Sequence, residues 1–428
     1  MISIIHRSPR RNQQGFTKEM QMKARSILTA LVALAFVLGN ALASPRLDPE
    51  PDPTEIRIGN VMPYTGSLAA FSSIGRAEAA YFTMVNEHGG INGRKVRFIS
   101  YDDTSDRGTA LDRTRRLVEE DQVLLMFGSF GTPANLAVRS YLNALRIPQL
   151  FVASGDQEFS RPDTFPWTMG WQPSSRAEGR LFANYIEAYF PGRKIAVLWE
   201  NAQFGRDLYA GLVESLSENA QMIISETTFD ASDETLDSQI HVLRASGATV
   251  LVIEGAPATA AFAIRKAADV GWAPTILLDN APTSIASALR PAGLQNAIGV
   301  VSTAFLKDAG DPKWQDDPGM KEWLSFMTRF YPDGEKDDKN AVFGYAAAAT
   351  LTQVLKQCGD DLSRENVMRQ ATSLRDFRSS VMLPGISINT SSTDARPIKQ
   401  TQLVEFDGRT WLSIGEVLNT AFNESGHR

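Results

Sequence analysis

The sequence is poor in the residues on which most catalytic and metal sites depend. It has one cysteine, Cys358, so no disulfide can form within the chain, and only two of its four histidines, His88 and His241, lie in the globular region. It contains no H-E-x-x-H, G-x-S-x-G, P-loop or G-x-G-x-x-G pattern. We therefore expect no cofactor and no metal ion, and we interpret the protein as a binder rather than an enzyme.

Positive charge is also scarce. Residues 1–43 contain six basic residues and one acidic residue, so the remaining 385 residues have 37 basic and 48 acidic ones, a net charge of −11. A domain that binds nucleic acid needs a basic surface. The composition therefore does not support nucleic acid as a partner.

Long hydrophobic runs are absent except for ILTALVALAFVLGNALA near the N-terminus. This run follows Lys23 and Arg25 and ends in an A-x-A pattern at Ala43, which is typical of a cleaved secretory signal. A membrane anchor is the alternative, but 17 residues that include a glycine and an asparagine are a marginal length for a span. We expect residues 1–43 to be a signal peptide.

The predicted cleavage site leaves Ser44 as the first residue of the mature chain. No lipobox cysteine is present, so we expect a free periplasmic protein with an acidic, proline-rich and flexible N-terminus over residues 44–53. The translation start is left open among Met1, Met20 and Met22.

From Ile56 onward, short apolar strands alternate with amphipathic helices, and the series restarts after FPWTMGWQPSS. This alternation predicts two α/β lobes, each a doubly wound parallel sheet covered by helices. The last third adds three helices and then strand-like segments, including GISINT and TQLVEFDGRTWLSI. FPWTMGWQP, VVSTAFLKD and MLPGISIN are the candidate crossings between lobes.

Ligands bind open parallel sheets at the carboxyl ends of the strands. One such end is GSFGTPANLAV, which follows the apolar run VLLMF and opens a helix. Here we expect Thr132 to be the N-cap and Pro133 the first helical residue. Free backbone N–H groups and the positive end of the helix dipole predict a site for an anion.

Several segments resemble the periplasmic leucine/isoleucine/valine-binding protein family. They are IRIGNVMPYTG, NEHGGINGRKVRFISYDDTSD, RIPQLFVASG and KIAVLWENAQFGRD, and the resemblance covers roughly residues 54–415. It implies a type I periplasmic-binding-protein fold whose two lobes are joined by three crossovers. It places residues 54–172 plus 303–384 in lobe 1 and residues 173–302 plus 385–420 in lobe 2.

The resemblance also implies the binding residues. The family's hydroxyl that holds a ligand carboxylate corresponds to Thr132, and its backbone partners correspond to Ala153 and Gly155. Phe71 and Phe204 stand where aromatic side chains cover the ligand.

Lobe 2 departs from the family pattern. Ala256 replaces a common tyrosine, and Asn280 replaces the acid that binds an α-ammonium group. A ligand without an ammonium group is therefore expected, although Asp279, Glu254 and Glu200 are close in sequence and remain alternatives for that acid.

The resemblance implies a monomeric substrate-binding protein of an ABC importer. It would capture a small carboxylate, either an amino acid or an aromatic or aliphatic organic acid, and deliver it to a membrane permease. A ligand-sensing module of the same fold and an exported enzyme are the alternatives.

Overall fold

The computed structural model describes residues 52–230 and 233–420. The predicted signal peptide, its cleavage site and most of the predicted flexible N-terminus lie outside these residues. The strands are β1 (Glu55–Met62), β2 (Lys95–Asp102), β3 (Leu125–Phe127), β4 (Gln149–Val152), β5 (Thr168–Gly170), β6 (Ile195–Glu200), β7 (Ile223–Phe229), β8 (Val250–Ile253), β9 (Thr275–Leu278), β10 (Val301–Ala304), β11 (Gln400–Phe406) and β12 (Trp411–Asn419).

Helices follow most of these strands, as the apolar spacing predicts. Those of at least eight residues are α1 (Ser73–Glu87), α2 (Arg107–Glu119), α3 (Thr132–Ala144), α4 (Ser175–Tyr189), α5 (Gln203–Leu216), α6 (Asp237–Ala245), α7 (Pro257–Asp269), α8 (Pro318–Phe330), α9 (Lys339–Cys358) and α10 (Arg364–Ala371). Within the described residues, no helix is both long enough and apolar enough to cross a membrane.

The strands form two sheets, which confirms the predicted pair of α/β lobes. The first sheet is parallel, in the order β2-β1-β3-β4-β5. The second has the order β12-β11-β10-β9-β8-β6-β7 and is parallel from β10 to β7, with antiparallel pairing of β11 to β10 and to β12. The strand predicted at GISINT is wrong, because Ile388 there makes only a single bridge, to Phe377.

The buried side chains show to which lobe each part of the chain packs. Trp171, Phe305 and Ile398 belong to the same core as the first sheet, whereas β10 and β11 pair in the second sheet. This packing favours crossings after Trp171, after Ala304 and just before β11. The predicted lobe boundaries remain a proposal. The side chains in the first core extend to Ile398, beyond the predicted end of lobe 1 at residue 384.

Helices α4 and α5 are in backbone contact. A Cβ at Gly179 would overlap the carbonyl oxygen of Leu208, and a Cβ at Gly211 would overlap the carbonyl oxygen of Arg176. A backbone oxygen cannot rotate away as a side chain can, so only glycine fits at either position. The contact therefore ties α5 firmly to α4.

We expect Gly211→Ala to lower the free energy of unfolding by about 1–3 kcal/mol, the usual cost of overpacking. Gly108→Ala in α2 is the control, because its Cβ would meet one side-chain oxygen of Asp106, at 3.2 Å, and no backbone atom. There we expect a change of less than about 1 kcal/mol. Urea unfolding measures both variants, and equal stabilities would contradict the close packing of α4 on α5.

Candidate functional site

The glycine-rich loop between β3 and α3 has a conformation that glycine permits. Gly128 and Gly131 have φ values of +65° and +93°, which other residues rarely adopt. Gly131 is the N-cap of α3, and Thr132 is already the first residue of the helix, followed by Pro133. The prediction of Thr132 as N-cap is therefore wrong, because the chain turns into the helix one residue earlier than expected.

The hydroxyl of Thr132 has a different partner. Its Oγ1 lies 2.7 Å from Oγ of Ser154, which follows β4. Ser154 Oγ also accepts the backbone N–H of Asp156, at 3.1 Å. The two hydroxyls have two hydrogens and use one in their mutual bond, so one hydrogen remains available to a ligand.

Ala153 and Gly155 are the predicted backbone partners of a ligand carboxylate, and their surroundings differ. The N–H of Ala153 donates to the carbonyl oxygen of Ser129 at 3.0 Å, and the Ala153 carbonyl accepts the N–H of Gly131 at 3.2 Å. Both backbone groups of Ala153 are therefore used in hydrogen bonds to the loop before α3. A Cβ at Gly155 would lie 2.5 Å from Oγ of Ser175, so the Ser175 hydroxyl fills the space that a side chain at this position would need.

The two predicted aromatic residues are both half-buried, one on each lobe. Phe71 precedes α1 and stacks on Phe130, with ring centroids 4.2 Å apart and an angle of 17° between the rings. Phe204 is the second residue of α5. Phe130 was not predicted beside Phe71, although an aromatic residue in the glycine-rich loop GSFGT is the signal that would have identified it.

In lobe 2, the acid and the amide that end β9 are engaged by the protein itself. Asp279 is fully buried, and its two oxygens accept the backbone N–H groups of Gly255 and Ala281, at 2.9 and 2.6 Å. The Asn280 amide donates to Oε2 of Glu178 at 2.8 Å. Asp279 thus uses both carboxyl oxygens, and Asn280 its amide nitrogen, within the protein.

Glu178 and Lys339 both contact Asn280. Neither residue was predicted from the sequence. Glu178 Oε1 accepts the hydroxyl of Thr303, while Lys339 Nζ donates to the Asn280 carbonyl and to Oγ1 of Thr283. Burial raises the pKa of Glu178 to about 7, although hydrogen bonds from Thr303 and Asn280 act against this rise. Since Lys339 begins α9, which packs in the lobe 1 core, it connects the two lobes.

Glu254 and Glu200 are the remaining acids at this edge of the second sheet. Glu254 Oε2 accepts the backbone N–H of Glu200 at 2.8 Å, and Oε1 is buried with no hydrogen-bond partner among the described residues. Burial, and then the charge of Asp279, raise the pKa of Glu254 well above its ordinary value. A neutral Glu254 offers a hydroxyl donor, and Ala256 beside it has no polar side-chain group.

Metal chemistry finds no support in the part of the chain that the structure describes, where no group of three His, Cys, Asp or Glu side chains could hold an ion. Cys358 is buried and unpaired, as a packed thiol is expected to be. What the arrangement offers is hydroxyl and N–H donors on lobe 1, an aromatic pair, and buried carboxyls on lobe 2 that bond groups of the protein itself.

Comparison with known proteins shows similarity to periplasmic binding proteins along most of the chain. A family model described as periplasmic binding protein matches residues 55–410. The Leu/Ile/Val-binding protein homolog 1 of Brucella abortus is 23% identical over 325 residues, which cover 73% of this chain and 81% of that protein.

Two solved structures share the fold. One is a branched-chain amino acid ABC transporter protein from Thermus thermophilus with bound valine, at a TM-score of 0.78 and 17% identity, covering 86% of this chain and 97% of that one. The other is a fatty acid ABC transporter substrate-binding protein from Thermomonospora curvata, at a TM-score of 0.71 and 19% identity, covering 87% and 94%. The predicted type I periplasmic-binding-protein fold is thereby confirmed.

We expect Glu254→Gln to weaken the pH dependence of stability. A carboxyl whose pKa is raised by folding binds a proton more tightly in the folded state, so its contribution to stability is lost as pH rises. Glutamine keeps the shape and cannot ionise. The fall in the free energy of unfolding as pH rises above the ordinary carboxyl range should be smaller in this variant, as measured by urea unfolding.

Glu218→Gln is the control, because Glu218 is exposed on the surface of lobe 2. It should keep the full pH dependence of the parent protein. An equal fall in Glu254→Gln and the parent protein would mean that Glu254 does not hold a proton in the folded state.

Proposed function

Because this chain belongs to the periplasmic binding protein family, we propose that it is the substrate-binding component of an ABC importer. It works in the periplasm, where it captures a small carboxylate and delivers it to the permease. Its family consists of substrate-binding proteins, and we propose that this chain likewise binds its ligand without converting it.

The observation that carries this proposal is the Thr132–Ser154 hydroxyl pair at the N-terminus of α3. A helix N-terminus has unpaired N–H groups and a partial positive charge, and the pair has one uncommitted hydrogen. Together they match a carboxylate, which only accepts hydrogen bonds. Both side chains are buried, at 5% and 7% exposure, and a hydrogen bond to a charged group is stronger where water is excluded.

The remaining predicted site residues have supporting roles in the proposal. Phe71 and Phe204 cover the apolar part of the ligand, and Gly155 lets its backbone and the Ser175 hydroxyl come close to the carboxylate. Ala153 maintains the loop through its backbone bonds rather than donating to the ligand. Ligand binding brings lobe 2 over lobe 1, because a ligand that contacts both lobes favours the closed state.

The second lobe supports a ligand without an ammonium group. Asn280 is bonded to Glu178, Asp279 accepts two backbone N–H groups, and Ala256 is apolar. The relatives' names include both valine and a fatty acid as ligands, so the fold accommodates either class. We propose an organic acid, with a ligand-sensing role of the same site as the alternative function.

Matched pairs of compounds test the ligand class. Valine and 3-methylbutanoate differ only by the ammonium group, as do phenylalanine and 3-phenylpropanoate. We expect the acids to raise the melting temperature in a thermal-shift assay, since binding to the native state adds to its stability. The corresponding amides, which lack the negative charge, are the control and should leave it unchanged; a shift by the α-amino acids alone would contradict the proposal.

Removing both hydroxyls tests the carboxylate site. A hydrogen bond to a charged ligand contributes about 1.5–3 kcal/mol, so Thr132→Val combined with Ser154→Ala should weaken binding of the best acid roughly 10- to 150-fold. Thr132→Val alone should cost less, because Ser154 can then turn its hydrogen to the ligand. Isothermal titration calorimetry measures both variants.

Thr114→Val is the matched control for this test. Thr114 is a fully buried threonine of lobe 1 whose hydroxyl has no partner among the described residues. It should bind the acid as tightly as the parent protein does. A double variant with an affinity within about twofold of the parent, where 1.4 kcal/mol would be tenfold, would show that the hydroxyl pair is only structural.

A further inference from the structure

We propose that Asp156 and Asp207 form a proton-dependent latch between the two lobes, which holds them together while the pair shares one proton and releases them when both carboxyls ionise. This inference rests on the closing movement in the proposed function. It adds a dependence of that movement on pH.

The two carboxyls come from different lobes. Asp156 follows β4 of the first sheet and caps a short helical turn, where its Oδ1 accepts the N–H of Glu158 at 2.8 Å. Asp207 lies on α5, next to the second sheet, and its Oδ2 accepts the backbone N–H of Gln157 from lobe 1, at 3.2 Å. Each residue is only 2% exposed, so the contact excludes water.

The hydrogen-bonding environment of the two carboxyls is satisfied when one of them is protonated. Asp156 Oδ2 is buried without a donor among the described residues. Asp207 lies beside it, because its Oδ2 accepts the backbone N–H of Gln157, the residue after Asp156, and the two carboxyls affect each other's pKa through a side-chain hydrogen bond. Two carboxylates this close repel each other, whereas a single shared proton converts the repulsion into a hydrogen bond. One protonated carboxyl therefore satisfies both residues.

Two arginines near the pair favour ionisation of its carboxyls, but each arginine is also paired with a glutamate. Arg176 Nη1 from α4 is 4.0 Å from Oδ1 of Asp207, but Arg176 also pairs with Glu214. Arg139 from α3 pairs with Glu158 beside the other carboxyl.

Burial nevertheless dominates the titration of both carboxyls. Burial, and then the charge of Asp156, raise the pKa of Asp207 to about 7. Burial also raises the pKa of Asp156. The pair therefore changes its charge near neutral pH.

The packing of α5 transmits this repulsion to the whole lobe. Gly179 and Gly211 place α5 in backbone contact with α4, so Asp207 cannot move away alone. A raised carboxyl pKa in the closed state means that the closed state binds more protons than the open one. Closure is thus favoured at low pH and is lost as pH rises through about 7.

Small-angle X-ray scattering on the ligand-free, full-length mature protein tests the latch. The radius of gyration should be larger at about pH 8.5 than at about pH 5.5. In Asp207→Asn the amide donates permanently to Asp156, and in Asp156→Asn it donates permanently to Asp207. Each variant should stay compact at both pH values, and either one suffices if the other does not fold.

Asp103→Asn is the control, because burial raises the pKa of Asp103 to about 6 and its carboxyl bonds the N–H of Ser105 within lobe 1. It should show the same expansion as the parent protein. No expansion of the parent protein, or an expansion that persists in the Asp207 and Asp156 variants, would overturn the latch. Because no ligand is present, either result would leave the proposed carboxylate binding intact if the acids still bind.

Discussion

Burial of carboxyl groups beside the second sheet is the main constraint on the chemistry of lobe 2. Glu178, Glu254 and Asp279 are almost fully removed from water, and a buried carboxyl must be hydrogen-bonded, paired with a cation or protonated. In lobe 2 two backbone N–H groups bond Asp279, and the side chains of Asn280 and Thr303 bond Glu178. Glu254 keeps one oxygen without a partner among the described residues, and burial raises its pKa well above the ordinary value. Carboxyls that are bonded within the protein or protonated have little left to offer a cationic ligand.

Whereas lobe 2 has buried carboxyl acceptors, lobe 1 has buried hydrogen-bond donors in excess. Its loop after β3 ends in a helix N-terminus, and the Thr132–Ser154 pair has more hydrogens than it uses. The excess of donors on lobe 1 favours the proposed placement of the ligand's carboxylate there. Asp156 and Asp207 are a second set of buried carboxyls, and they lie where the two lobes meet. In the proposed latch, the charge of this pair controls whether the lobes stay together.

The sequence predicted the fold because the fold depends on local patterns: alternating strands and helices indicated two sheets. The glycine-rich strand ends are the basis for the proposed site. The partners could not be predicted in this way, because Ser154 is 22 residues from Thr132 and Glu178 is 102 residues from Asn280. The N-cap was misplaced by one residue, since the φ of +93° that allows Gly131 to start α3 depends on the fold and not on capping preference.

A crystal structure of the protein with its tightest-binding organic acid would show directly where the carboxylate lies. We expect one carboxylate oxygen within hydrogen-bonding distance, about 2.5–3.0 Å, of the Thr132 or Ser154 hydroxyl, with the apolar part of the acid between Phe71 and Phe204. A carboxylate bound against lobe 2, or a ligand whose ammonium group is held by Glu254 or Glu200 while the hydroxyl pair contacts nothing, would contradict it.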